Sequence, residues 1–290
     1  MFIKTKERDD IPSDNLYVKY RAKATTKRRS TMMLLPGGPG GDHSIYSKQA
    51  EAFFEYADVI MFDPRGCGKS SLANGLCYAM DVYIDDVEDL RQQLDLDHII
   101  VLGTSYGSMV AQGYAIKYGM NLQVLILVAG AASHEFIAAA RIQLAKIGTK
   151  EQVDAFERLL SGYIETDDQL RDYFKTMAPC YSLVAKEGKS FHAANKKVRY
   201  NARAALAGFG PGGFLHSFDW REQLLAITCP TCIVVGERDW INRPEQAKEM
   251  HTLIAKSQLT IIPESGHFVW VDRQKDYLMT VVNFLEKIGV

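Results

Sequence analysis

The chain has 290 residues, 47% hydrophobic and 24% charged, with a formal net charge of -1. This is the composition of a globular protein with one large core or a core with an insertion, and it excludes collagenous and disordered classes. With 34 basic against 35 acidic residues, no general attraction to phosphate backbones or anionic membranes is expected, so neither nucleic acid nor a membrane is expected as a partner.

No window approaches the roughly 20 apolar residues of a membrane span. The stretch MFIKTKERDD lacks the apolar run of a signal peptide, and an odd count of five cysteines fits free thiols in a reducing compartment, so a cytoplasmic location is expected. In chain order, the basic cluster Arg21 to Ser30 lies between two strand-like runs and reads as a solvated hairpin turn. The apolar run TMMLL (31–35) leads into a glycine-rich loop, LLPGGPGGDH (34–43). ADVIMF (57–62) precedes FDPRGCGKSS, whose Gly-Lys-Ser ending imitates a phosphate-binding loop. Asp63, however, stands where that motif requires its first glycine, and its charge would repel phosphate. DVYIDDVEDLRQQL places Val82, Val87, Leu90 and Leu94 near helical spacing.

Two further strand-like runs follow, HIIVLG (98–103) and VLILVAG (124–130). From 133 to 210 only helical patterns occur, two of them opened by capping boxes, Thr149 with Gln152 and Thr166 with Gln169. The strand rhythm returns with CIVVG (232–236) and LTIIP (259–263). The pattern predicts an α/β fold, a mostly parallel sheet with helices on both faces. Its core comprises 1–132 and 211–290, and 133–210 forms an inserted all-helical cap.

The sharpest chemical signal is Gly103-Thr104-Ser105-Tyr106-Gly107, a G-x-S-x-G between a strand and a helix, the setting of a nucleophile elbow. A serine needs a base and an orienting acid behind it. In the chain order Ser, Asp, His, the residues just past late strands are Asp239 and His267. Of the other histidines, His43, His98, His134, His192, His216 and His251, none follows a late strand, although His216 has a place near the cap's end. The oxyanion hole is expected from the Tyr106 amide and an amide of the glycine-rich loop, Gly38 with Gly37 as the alternative. Cys229 and Cys232 have C-x-x-C spacing without a second ligand pair and read as structural thiols.

Pro36-Gly37-Gly38-Pro39-Gly40-Gly41 resembles the H-G-G-P-G-G loop of the proline iminopeptidase family of α/β-hydrolases, and Asp63 to Ser70 resembles its D-x-R-G-x-G-x-S segment. The resemblance extends to the elbow, the helical cap, G-E-R-D and S-G-H, and so covers most of the chain. It implies an α/β-hydrolase fold, a Ser105, Asp239, His267 triad, and a structural role for Asp63 and Arg65 in bracing neighbouring backbone. The chain departs from the family at Pro36, where the family has histidine. It also departs where the family holds the substrate amine with glutamates: here Gly210-Pro211-Gly212-Gly213-Phe214 and Asp239-Trp240-Ile241 stand. Glu237 and Glu222 are candidate replacements, and Trp240, Phe268 and Phe214 are the expected pocket residues.

The expected activity is that of a serine hydrolase cleaving an acyl bond through an acyl-enzyme, either releasing an N-terminal proline or acting on a small ester or lactone. A small molecule or short peptide is the expected substrate, and no metal or other cofactor is implied. A non-catalytic small-molecule receptor is the competing class.

Overall fold

The computed structural model describes residues 1–8, 10–23, 29–71, 75–188 and 198–290. Eight strands form one sheet in the order β1-β2-β4-β3-β5-β6-β7-β8: β1 Phe2–Lys4, β2 Asn15–Arg21, β3 Thr31–Leu35, β4 Asp58–Phe62, β5 Ile99–Thr104, β6 Leu122–Val128, β7 Thr231–Gly236 and β8 Ser257–Ile262. β1 pairs antiparallel with β2, and β2 with β4; every other pairing is parallel. The expected hairpin at 21–30 is not formed. β2 pairs with β4, placing Val18 opposite Phe62, and β3 lies on the far side of β4, so the strands flanking the basic cluster are not neighbours. Residues 24–28 of that cluster lie outside the described residues.

The central strands are buried on both faces, as continuous apolar runs require. Because side chains alternate, Met33, Leu35, Val101, Leu127 and Val235 face one core, and Met32, Leu34, Leu102, Val128 and Val234 the other. The first is covered by α2 (Met80–Gln93) and α3 (Tyr106–Tyr118), through Val87, Leu90, Val110 and Tyr114. The second is covered by α1 (Ser47–Phe53) and a helix at Gln274–Lys287, through Phe53, Val281 and Phe284. Each such buried side chain contributes about 1.5–3 kcal/mol.

No strand interrupts the described residues between β6 and β7. Instead come α4 (Phe136–Ile147), α5 (Lys150–Leu160), α6 (Asp167–Tyr181), α7 (Leu183–Lys186) and α8 (Ala202–Phe209). Both expected capping boxes form, at Thr149 and Thr166, satisfying amides that would otherwise be orphaned at the starts of α5 and α6. This helical segment leaves the sheet beside Ser133 and rejoins it near Asp219 through an isolated bridge. The His134 amide donates to Phe218 O and the Trp220 amide to Ala132 O.

The chain order reverses at β3, which lies between β4 and β5, so a crevice opens at the carboxyl ends of β3 and β5. The glycine-rich loop leaves β3 there, and Ser105 leaves β5.

Candidate active site

Ser105 sits between β5 and α3 with φ 56° and ψ -121°, a conformation that costs a non-glycine residue about 1–3 kcal/mol and is tolerated only where the surroundings enforce it. Two constraints do so. The Ser105 amide donates to Val128 O at 2.8 Å, which ties the turn to β6. α3 also runs so close under β3 that a Cβ on Gly107 would lie 2.2 Å from Leu35 O. The result lifts the hydroxyl above the strand ends at the amino terminus of a helix.

Past β7, Asp239 is 3% exposed; past β8, His267 is 2% exposed. The structure brings both to Ser105: His267 Nε2 is 3.0 Å from Ser105 Oγ, and His267 Nδ1 is 2.8 Å from Asp239 Oδ2. A carboxylate only accepts, so Nδ1 carries the proton and Nε2 offers its lone pair to the serine hydroxyl. The other oxygen of Asp239 accepts the amides of Ile241 and Asn242, each at 3.0 Å, which fixes the carboxylate's rotation.

In the loop after β3, the Gly37 amide donates to the Tyr46 hydroxyl at 3.1 Å. The Gly37 amide is therefore already engaged, and its neighbour Gly38 has a φ of 147°, which only glycine adopts readily. Burial pushes the Tyr46 phenol up to about 12, against the pull of the Gly37 amide and Thr104, so the acceptor stays a neutral hydroxyl. Tyr106 opens α3, and its amide therefore has no partner within the helix.

Above these groups lies a cavity of about 60 Å³. Its floor includes Gly38, Ser105 and His267, and its walls are aromatic and aliphatic: Tyr46, Tyr173, Phe174, Tyr181, Tyr200, Phe209, Phe268 and Trp270 among them. Phe268 thus lines it, but two expected pocket residues do not. Trp240 is wholly buried, edge-on to Phe156 at 5.2 Å and to Tyr181 at 5.5 Å, because the segment that carries Asp239 turns it into the core. Phe214 packs at 5.5 Å on the Tyr106 ring.

Neither candidate glutamate reaches the cavity. Glu237 is exposed and accepts the Glu264 amide at 3.2 Å, and Glu222 is exposed on a short helix at Arg221–Leu224. His216 is held by Phe209 O at 2.8 Å. Four of the wall residues missed by sequence reading come from α6, where Leu170, Tyr173, Phe174 and Tyr181 fall at helical spacing. That periodicity announces a buried face without saying that the face encloses a pocket.

Asp63 and Arg65 do brace backbone. Asp63 accepts the His43 amide at 2.9 Å and the Lys69 amide at 2.8 Å; Arg65 donates to Pro12 O at 2.7 Å and is paired with Asp86. Asp42, His43 and Asp63 are close enough to share a cation. Their carboxylates are already occupied, Asp42 by the amides of Ser44 and Arg199 and Asp63 by those just named, and the group reads as a brace for the glycine-rich loop. Burial pushes Cys232 up to about 12 and raises Cys229, which keeps both thiols protonated and unreactive.

A family model described as alpha/beta hydrolase fold matches residues 30–274. The chain belongs to the α/β-hydrolase family. It is 29% identical over 286 residues to a protein named proline iminopeptidase from Saccharolobus solfataricus, covering 94% of this chain and 90% of that one. Among solved structures it resembles a proline iminopeptidase of Mycobacterium smegmatis, with a TM-score of 0.76 at 19% identity, covering 99% of this chain and 98% of that one. A thermophilic esterase of Thermogutta terrifontis superposes with a TM-score of 0.75 at 22% identity over the whole of both chains. The fold and the resemblance to proline iminopeptidases expected from the loops therefore stand. No helix among the described residues is long and apolar enough to cross a membrane.

Proposed function

We propose that this α/β-hydrolase is a serine hydrolase that cleaves an acyl bond through an acyl-enzyme, as a peptidase of the proline iminopeptidase kind. The observation that carries this reading is the unbroken relay from Asp239 through His267 to Ser105 at the floor of an apolar cavity. Ser105 attacks the carbonyl while His267 Nε2 takes its proton, and Asp239 stabilises the imidazolium. The Gly38 and Tyr106 amides receive the oxyanion, His267 returns the proton to the leaving group, and water repeats the sequence on the acyl-enzyme. Side chains and backbone handle every proton in this route, so it calls for no cofactor. The helices between Ser133 and Phe218 act as the cap that excludes water and shapes the substrate site. Free cysteines suit a cytoplasmic setting.

The apolar walls suit a small apolar group such as a prolyl ring. A second reading, a neutral small ester or lactone, is favoured by the walls: among the described lining residues none is acidic, and 189–197, KSFHAANKK, contains no Asp or Glu. An ammonium placed there would be desolvated with no counter-charge. A panel of proline anilide, short-chain acyl esters and lactones, run beside a fluorophosphonate that labels Ser105, tests both readings. No labelling and no turnover would leave a receptor.

A further inference from the structure

Directly after His267, a short helix at Val269–Asp272 ends in a carboxylate that serves two regions at once. Asp272 Oδ2 accepts the amide of Gly266, the residue before His267, at 2.8 Å, and the amide of Leu183 at 3.1 Å. Asp272 Oδ1 accepts the Val184 amide at 3.2 Å and the Ser182 hydroxyl. Three of the four donors therefore belong to the α6–α7 corner of the cap, and the fourth belongs to the loop that carries the catalytic base. The same corner makes a second attachment: the Phe268 amide donates to Tyr181 O at 3.0 Å, and the Tyr181 ring stacks on Phe268 at 5.0 Å and leans on the His267 ring at 5.4 Å. His267 is held on either side, through Gly266 and Phe268, by bonds that lead into the cap.

We propose that Asp272 is a positioning residue that makes the placement of His267 depend on the docked α6–α7 corner, so that the base is aligned with Ser105 only while the cap is seated. The inference rests on the serine-hydrolase reading above. Leu183 and Val184 open α7, whose first amides have no helical partner and need an outside acceptor. Asp272 supplies it, and in return the corner holds the carboxylate in the rotamer that also grips Gly266. If the corner lifts, Asp272 loses three of four donors, and the Gly266 amide loses a fixed acceptor. Asp272 touches no reacting atom; its effect passes through the histidine loop.

The test compares wild type with Asp272→Asn, Asp272→Ala and Ser182→Ala in two assays, steady-state turnover and the rate of Ser105 phosphonylation by a small fluorophosphonate that makes little contact with the cap. Asp272→Ala is expected to lower kcat and the labelling rate together by about tenfold, with KM within about twofold, because alignment of the base is lost and the pocket is not. Asp272→Asn keeps one acceptor oxygen and should recover part of that loss, and Ser182→Ala should lower both rates by about threefold. A purely structural peg would lower the melting temperature and leave both rates of the folded enzyme unchanged; that result in Asp272→Asn or Ser182→Ala would overturn the proposal. Should Asp272→Ala fail to fold, those two variants decide. Failure of wild type to label at Ser105 would instead overturn the hydrolase reading itself, which keeps the two outcomes distinct.

Discussion

The carboxyl edge of the sheet and the helical roof above it contribute to one cavity in different ways. The edge supplies Ser105, Asp239, His267 and Gly38, each fixed by backbone bonds that leave little freedom: Ser105 by Val128 O, Asp239 by two amides, and the Gly38 loop by the Tyr46 hydroxyl on Gly37. The roof supplies rings that hold their places by packing, such as Phe174 stacked on Tyr200 at 4.9 Å and Tyr181 on Phe268 at 5.0 Å. Polar geometry at strand ends sets the chemistry; ring packing sets what fits. Substitutions at the edge should therefore change rate by orders of magnitude, and substitutions in the roof should change ranking among substrates by far less.

The largest effects are expected from the relay. Ser105→Ala should lower kcat by about 10⁶-fold, leaving only the contribution of the oxyanion amides and binding. Asp239→Asn should lower it by about 10⁴-fold, since an amide turned toward His267 favours the wrong tautomer. Steady-state kinetics on the best substrate checks both, and a tenth of wild-type activity in Ser105→Ala would remove Ser105 from the role of nucleophile.

A smaller effect is expected where the edge is held by a single phenol. Tyr46→Phe removes the acceptor of the Gly37 amide, which is part-buried, so the cost should fall below the about 1–3 kcal/mol of a fully buried donor left without a partner. The melting temperature should fall, and kcat should fall by about tenfold as the Gly38 amide loses its aim. KM should hardly move. Full activity in Tyr46→Phe would show that the loop is set by its glycines alone.

The same contrast explains what could be read from the sequence. The meeting of Ser105, Asp239 and His267 was legible because a parallel sheet delivers side chains to one edge, so three short motifs at three strand ends come together there. The bond that engages the Gly37 amide was not, because it comes from a hydroxyl nine residues away, at Tyr46. The pocket was misread at Trp240 and Phe214: adjacency to a catalytic residue says nothing of which way a side chain turns, and Trp240 points into the core while Trp270, three residues after His267, faces the cavity. Strand β2 was visible as a strand and its partner was not, since pairing with β4 bypasses β3, the strand that follows it in the chain.

Within the roof, Phe174→Ala should enlarge the cavity at the wall Phe174 shares with Tyr200. An acyl group longer by one carbon should gain about fourfold in kcat/KM relative to the shortest ester, in keeping with about 0.8 kcal/mol per buried methylene. Labelling by a small fluorophosphonate should stay within about twofold of wild type, because no hydrogen bond of the relay passes through Phe174. A variant that slows on every substrate alike, with its ranking intact, would place this ring in the support of the catalytic groups and break the division between edge and roof.

The smallest effect is expected at the substrate's amine. The walls are rings and aliphatic chains, the described lining holds no carboxylate, and Glu237 and Glu222 lie on the surface with Glu237 engaged by the Glu264 amide. A free ammonium would lose its hydration in this cavity and meet no counter-charge, so its transition state should gain little that a blocked amine does not. Blocking the amine of a proline anilide should therefore cost less than tenfold in kcat/KM, below about 1.4 kcal/mol, and Glu237→Gln and Glu222→Gln should each stay within about twofold of wild type. Recognition of such a substrate would then reside in the ring held by Tyr173, Phe174 and Tyr200, and a neutral ester of the same size would be turned over faster than its intrinsic reactivity accounts for. A loss larger than tenfold on blocking, abolished in Glu237→Gln, would mean that the outer surface reaches the substrate when the cap moves, and amine recognition would return to the centre of the mechanism.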